Sequence, residues 1–239
     1  MTDNWLLNWA ILALSLFNTI LLVWLGLTVL LNAERRGWGV WLIGGGLLVG
    51  AFFFVSHTAI FGIGRSLLTL ATIDFWWRAG WPALVLNPLA WYSAVLWYAG
   101  FWDDTTSPLH RRQLPLFALT VLFAAGLLIF LFFTPSLPSF EQLTELNLTN
   151  PFSFAGIPLV LIVYPLFILF CTGFSLDVLA RPGPSHREMG AQARRRARSW
   201  LMAASLDLLL VSLLVSGVMV WVVSNAQGRV LDQQLVQTV

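Results

Sequence analysis

The side chains best suited to chemistry in this sequence are a few polar residues that interrupt long apolar runs. His57 is one of them, and an imidazole can ligate haem or chlorophyll, sense protons or hydrogen-bond a ligand or a neighbouring helix. Gly46, Gly50 and Phe53 fall on the same helical face as His57. Because small residues mark close helix contacts in membranes, we expect His57 to face the protein rather than lipid.

Two further polar residues lie at a depth similar to that of His57 in their own apolar runs, namely Asn87 and Tyr164. One hypothesis is that these three side chains converge on an outward-opening cavity, with Arg65 and Arg78 at its mouth. The alternative is that each makes a separate hydrogen bond between helices, worth about 0.6–2 kcal/mol.

A second group of charged residues lies toward the other membrane face. Asp177 and Asp207 belong to consecutive runs and could meet at one depth, either as part of a charge cluster that reports helix movement or simply in ion pairs and helix-end hydrogen bonds. Next to them is a basic segment, which would serve as a signal lever, an anionic-lipid contact or a positive-inside anchor. Its arginines are Arg194, Arg195, Arg196 and Arg198.

Motifs for catalysis and metal binding are missing from the sequence. It has no glycine-rich phosphate loop, no HExxH zinc motif and no GxSxG nucleophile motif, and its single cysteine is Cys171. We therefore expect a protein that is not an enzyme and holds no metal, and no particular cofactor is indicated. Nucleic acid is not an expected partner, because the arginines lie at the ends of apolar runs.

The composition defines the elements that carry these residues. Hydrophobic residues make up 58% of the 239 positions and charged residues 10%, which excludes a soluble globular protein. Six continuous apolar runs are long enough for membrane-spanning helices, and their lack of alternation disfavours a β-barrel. The sequence thus predicts one all-α integral membrane domain over residues 1–239, with spans near 9–31, 39–63, 79–101, 114–133, 156–179 and 200–223.

Orientation follows from the arginines, since all 13 basic residues are of this type. Ten lie in the segments after spans one, three and five, and three lie on the other side. The positive-inside rule makes the first set cytoplasmic, so both termini are expected outside in a multi-pass protein of the bacterial cytoplasmic membrane.

Two connecting segments carry helix signals of their own. Ser185 and Glu188 fit a capping box, which predicts that helix six begins around 185–190 and runs unbroken into the membrane. The outer segment 134–155 has a second capping box, at Ser139 and Gln142, and predicts a short helix on the membrane surface.

Several loop motifs are shared with a known family. They are LNAERR at 31–36, FVSHT at 54–58, WYAGFWD at 97–103, SPLHRR at 107–112, RPGP at 181–184 and RRRAR at 194–198. On these motifs the chain resembles the seven-transmembrane-type membrane input region at the N-terminus of some bacterial sensor histidine kinases. The phosphoacceptor helix, the ATP-binding domain and the seventh span of such a kinase are not among these residues. The resemblance therefore implies an input module, a fragment or a stand-alone relative.

The resemblance implies a non-catalytic sensory module of a two-component system that binds a small or lipidic ligand and relays through the last helix. The alternative is an integral scaffold subunit of a respiratory or photosynthetic complex that contacts pigment, quinone or lipid. Expected partners are the lipid bilayer, anionic headgroups, and other membrane proteins or further copies of the chain.

The predicted topology can be tested by cysteine accessibility. With Cys171 replaced by alanine, a cysteine placed at Gln192 is expected to resist a membrane-impermeant maleimide in intact cells and to react after lysis, because the arginine-rich segment is cytoplasmic. Labelling at this position from outside intact cells would reverse the assignment.

Overall fold

The described residues form a bundle of six long helices. The computed structural model describes residues 5–33, 37–62, 70–134, 137, 139, 152–154, 157–181 and 191–226. The helices are α1 (Trp5–Asn32), α2 (Trp38–Gly62), α3 (Leu70–Tyr98), α4 (Pro108–Phe133), α5 (Val160–Ala180) and α6 (Ala191–Ala226). A two-residue antiparallel pairing joins β1 (Ser153–Phe154) to β2 (Ile157–Pro158) just before α5. The prediction of an all-helical architecture is confirmed, apart from this short pairing.

Five of these helices are long and apolar enough to cross a membrane, as a multi-pass membrane protein requires. The exception is α3, which has 29 residues but carries Asp74 and Arg78 in its first turns and Asn87 further along. Its interior also includes Pro82 and Pro88. These residues interrupt its apolar sequence, and α3 is not among the five.

The position of α3 in the bundle accounts for this composition. It packs against α2 on one side and against α4 and α5 on the other. Val85, Tyr92 and Leu96 are fully buried in these contacts. A helix covered by protein on several sides does not need the lipid-facing apolar surface that the outer helices require.

Glycines allow the first three helices to approach closely. On the α2 face toward α3, the Trp97 ring lies directly over Gly39, while Gly46 is next to Ala90 and Gly50 next to Asn87. In these pairs the residue number rises along α2 while that of its partner falls along α3, so the two helices are antiparallel. They remain in contact over most of the length of α2. On the other side of α2, Gly44 meets Leu30 of α1, and Gly62 meets Leu12.

The turn between α3 and α4 ends α3 before the predicted span ends. Tyr98 is the last helical residue, and Gly100 follows with φ of 82°, a left-handed conformation that favours glycine. Phe101 is then buried against Trp102 and the ring of Phe117 on α4. The turn therefore folds back into the bundle rather than extending from it.

The last helix lies at the edge of the bundle. It packs mainly against α5, and the indole Nε1 of Trp91 on α3 donates to Ser205 Oγ at 3.0 Å. As predicted, α6 is unbroken from its arginine-rich start into its apolar part. The described helix begins at Ala191, and residues 185–190 with their capping box lie outside the described residues, as does nearly all of the predicted outer helix.

The close contact at Gly39 generates a stability prediction. A Cβ at Gly39 would lie 2.0 Å from the Trp97 ring, whereas one at Gly45 of the same helix would meet nothing within 4 Å. Gly39→Ala is expected to lower the unfolding free energy by about 1–3 kcal/mol because the ring cannot move aside without repacking. Gly45→Ala is the matched control and should be neutral or stabilising. Thermal unfolding in lipid nanodiscs measures both, and equal effects would contradict the predicted steric cause.

Candidate functional site

The strongest polar feature is a chain of side chains that joins α3, α4 and α5 near one end of the bundle. Tyr92 donates its hydroxyl to Gln113 Oε1 at 2.7 Å, and Gln113 Nε2 donates to Asp177 Oδ2 at 2.6 Å. Arg112 Nε lies 3.2 Å from the same carboxylate oxygen. Tyr92 and Gln113 are fully buried, while the side chains of Asp177 and Arg112 are each 34% exposed. The network therefore runs from the interior to the bundle surface.

Local capping fixes the end of α4 that supplies two of these residues. Ser107 is the N-cap, and its hydroxyl accepts from His110 N while it donates to the carbonyl of Asp104. Pro108 follows at the first helical position, where its missing N–H costs nothing. The His110 ring stacks on Phe101 with centroids 4.5 Å apart. These contacts set the rotation of α4, and with it the direction in which Gln113 points.

Three arginines surround the C-terminus of α5. Arg198 Nη2 donates to the Ala180 carbonyl at 2.9 Å, and Arg112 Nη2 reaches the Arg181 carbonyl at 3.5 Å. Arg181 Nε lies 4.0 Å from Asp177 Oδ1, one turn earlier. Cations at this position satisfy carbonyls that the helix leaves unpaired and complement its dipole. The three arginines and Asp177 together carry a net positive charge. The arginines hold the C-terminus of α5 through its carbonyls and through Asp177.

His57 lies against α1 rather than in a cavity with the other predicted residues. Its Nδ1 is 3.1 Å from Ser15 Oγ, and Ser15 also lies 2.8 Å from Thr58 Oγ1 and donates to the Phe54 carbonyl. Its ring is 4.6 Å from that of Phe61. This is a hydrogen-bonded contact between two helices, centred on the buried hydroxyl of Ser15.

Asn87 and Tyr164 have neighbours of their own. The Asn87 amide lies against Gly50 of α2, and Tyr164 on α5 donates its hydroxyl to the Leu84 carbonyl of α3 at 3.3 Å. Arg78 forms an ion pair with Asp74 at 2.8 Å on the same helix. Arg65 lies outside the described residues. The structure thus distributes the described members of the predicted set over separate helix contacts and does not bring them together.

The two carboxylates that could have met at one depth have separate surroundings. Asp177 is bound by Arg112 and Gln113 of α4, whereas Asp207 is exposed on α6. Of the basic segment, Arg195 and Arg196 are exposed, Arg198 binds α5, and the side chain of Arg194 is not described.

Within the described part of the chain, no group of three or more His, Cys, Asp or Glu side chains could hold a metal ion. The Tyr92 hydroxyl, the Gln113 amide and the Asp177 carboxylate are hydrogen-bonded in series. This arrangement joins α3, α4 and α5 to one another.

Sequence reasoning did not single out Tyr92, Gln113, Arg112, Ser15 or the Trp91–Ser205 bond. Gln113 directly precedes the predicted fourth span, and a polar residue one turn inside a capped helix is a weak signal for a buried network. Ser15 carried no distinguishing signal, because a lone serine is unremarkable in a membrane helix.

Comparison with known proteins finds no family that matches the chain, and no curated protein or solved structure that is detectably similar. The resemblance to sensor kinase input regions remains a prediction.

The Asp177 network generates a prediction with an internal control. Asp177→Asn removes the counter-ion of Arg112 and should lower the unfolding free energy by about 1–3 kcal/mol, the cost of losing charged hydrogen bonds that are partly exposed. Asp207→Asn changes a carboxylate with no partner among the described residues, so the isolated chain should change by less than about 0.5 kcal/mol.

A double-mutant cycle with Arg112→Gln tests whether the pair itself is responsible. The double variant should be less destabilised than the sum of the single variants, because each alone leaves one charge unpaired. Strict additivity in thermal unfolding would mean that the ion pair contributes nothing.

Proposed function

We propose that this protein is a non-catalytic integral subunit that binds another membrane protein through α6, and so acts as a scaffold within a larger membrane complex. The observation that carries the proposal is the exposure of α6. It is the least buried of the five membrane-length helices, although it is the longest helix in the bundle. Leu210, Leu214 and Trp200 are 65%, 62% and 77% exposed.

The polar residues of the bundle favour this function over ligand binding. His57 and Tyr164 are engaged in separate helix contacts and not with each other. The Asp177 network fixes α3, α4 and α5 to one another. A core joined by side-chain hydrogen bonds, with an outer helix that is mostly uncovered, suits a protein whose role is to present a surface.

We also propose that α3 crosses the membrane, which gives six spans with both termini outside. Its 29 residues correspond to about 44 Å of helix. Its contacts with α2 run from Gly39 opposite Trp97 to Ser56 opposite Gly80, and therefore follow a helix of membrane-spanning length. The arginine distribution adds the orientation, with the Arg112–Asp177 end in the cytoplasm.

Extraction from the native membrane into lipid-preserving polymer discs tests the subunit function. The chain should be recovered in a fixed stoichiometry with another integral protein. Leu214→Gln should release that protein, because it places an amide in the proposed contact. Leu122→Gln is the matched control, since Leu122 is 69% exposed on α4 and outside the contact. Recovery of the wild-type chain with lipid alone would contradict the proposal.

A second candidate function is the sensory module that the family resemblance implies. It is favoured by the continuity of α6, which runs as one helix from the arginine-rich end into the membrane and is tied to α5 by Arg198. The two functions differ in the effect of His57→Ala. In a sensor it would abolish the response of the signalling output, whereas in a scaffold it would only lower stability, by about 1–3 kcal/mol, for the lost partner of Ser15.

A further inference from the structure

Asp207 lies within the part of α6 that matches a membrane in length. Trp200 and Trp221 bracket this segment, and the helical rise from one to the other is about 31 Å, close to the thickness of a bilayer core. Asp207 is about 10 Å inward from Trp200 on this scale. A carboxylate at this depth is unfavourable unless another group compensates it.

The helix itself offers no compensating group. The positions one turn away on either side of Asp207 are Ala203, Ala204, Leu210 and Val211. Arg198 is about 13 Å distant along the axis, and it is engaged with the Ala180 carbonyl. No residue that the structure describes forms a hydrogen bond or ion pair with Asp207.

The rotation of α6 turns Asp207 away from the bundle. Ser205 is fully buried and accepts the Trp91 hydrogen bond, which defines the inward face. Asp207 is two residues further on, about 200° around the helix, and is exposed. Asp177, near the C-terminus of α5, is by contrast met by Arg112 and Gln113. The bundle therefore compensates one of these two acids and leaves the other on its outer surface.

We propose that Asp207 forms an ion pair with an arginine or lysine carried by a transmembrane helix of a different subunit, and that this helix lies along α6. The proposal rests on the scaffold function and specifies the chemistry of the partner. The contact follows a stripe of exposed residues at alternating spacings of four and three, which is the seam of left-handed helix pairs. Its members are Ala203, Asp207, Leu210, Leu214, Gly217 and Trp221.

Two features of this stripe support a helix as the occupant. Ala203 and Gly217 are small, and a Cβ at Gly217 would meet nothing within 4 Å, so a second backbone can approach closely there. Charge complementarity selects the partner's side chain, because a positive charge at this depth stabilises the carboxylate. A second copy docked through the same stripe would instead bring two Asp207 carboxylates together.

The first experiment uses the full-length chain in phosphatidylcholine vesicles with synthetic single-span peptides of leucine and alanine. One peptide carries an arginine at the depth of Asp207, and the control peptide carries leucine there. Energy transfer should show the arginine peptide binding at least about fivefold more tightly to the wild-type chain. Asp207→Asn should remove this preference and Asp207→Glu should retain it. Val215→Ala, on another exposed face of α6, should have no effect.

Exchanging the two charges distinguishes loss of the ion pair from misfolding, because a misfolded variant would gain no new preference. Asp207→Arg should lose the arginine peptide and gain preference for a peptide that carries aspartate at the same depth. An arginine peptide that binds wild type and Asp207→Asn equally would overturn the proposal. So would tighter association between copies of the wild-type chain than with the arginine peptide.

The second experiment identifies the native neighbour by photo-crosslinking from Leu210 in the source membrane. The proposal expects a crosslink to a transmembrane segment with an arginine or lysine within one turn of that level. It also expects that exchanging this residue with Asp207 restores a complex that either single change weakens. A crosslink to lipid, to a second copy or to a segment without a basic residue would overturn the ion pair. If the complex survives in Asp207→Asn, the ion pair is wrong while the scaffold function stands.

Discussion

Water is absent from the core of a bilayer, and this constraint explains the arrangement of polar side chains in the bundle. A hydroxyl, amide or carboxylate that cannot reach water needs a partner within the protein, on its own helix or on another. Ser15 meets this need for His57, and the Leu84 carbonyl meets it for Tyr164. The hydrogen bonds from Tyr92 to Gln113 and from Gln113 to Asp177 pair polar groups of three helices. Each pairing also fixes how one helix is rotated relative to its neighbour.

Close packing depends on the same rotations. The glycines of α2 work as contact points only because the correct face of α3 is turned toward them, with Trp97 over Gly39 and Ala90 beside Gly46. Once α3 is enclosed by α2, α4 and α5, it tolerates prolines and polar residues that would be costly on a lipid-facing helix.

The bundle is asymmetric, and the asymmetry bears on function. Polar pairing and aromatic packing concentrate around α3, while α6 is fixed by Arg198, the Trp91–Ser205 bond and one face packed on α5. A helix that is held in place but mostly uncovered is suited to association with another protein. The carboxylate of Asp207 on that surface favours a partner helix that carries a basic residue. A sensory role would use the same helix differently, as a rod that transmits movement between its two ends.

The sequence by itself determined the helical class, the apolar runs and the continuity of α6, because hydropathy and helix propensity are properties of short segments. It also marked His57, Asp177 and Asp207 as residues in need of partners. Which partners they have was decided by the tertiary structure. Asp177 pairs with Arg112 of α4, whereas the rotation of α6 that buries Ser205 turns Asp207 outward. Rotations between helices arise from the sum of many contacts across the bundle, and no local pattern in the chain encodes them.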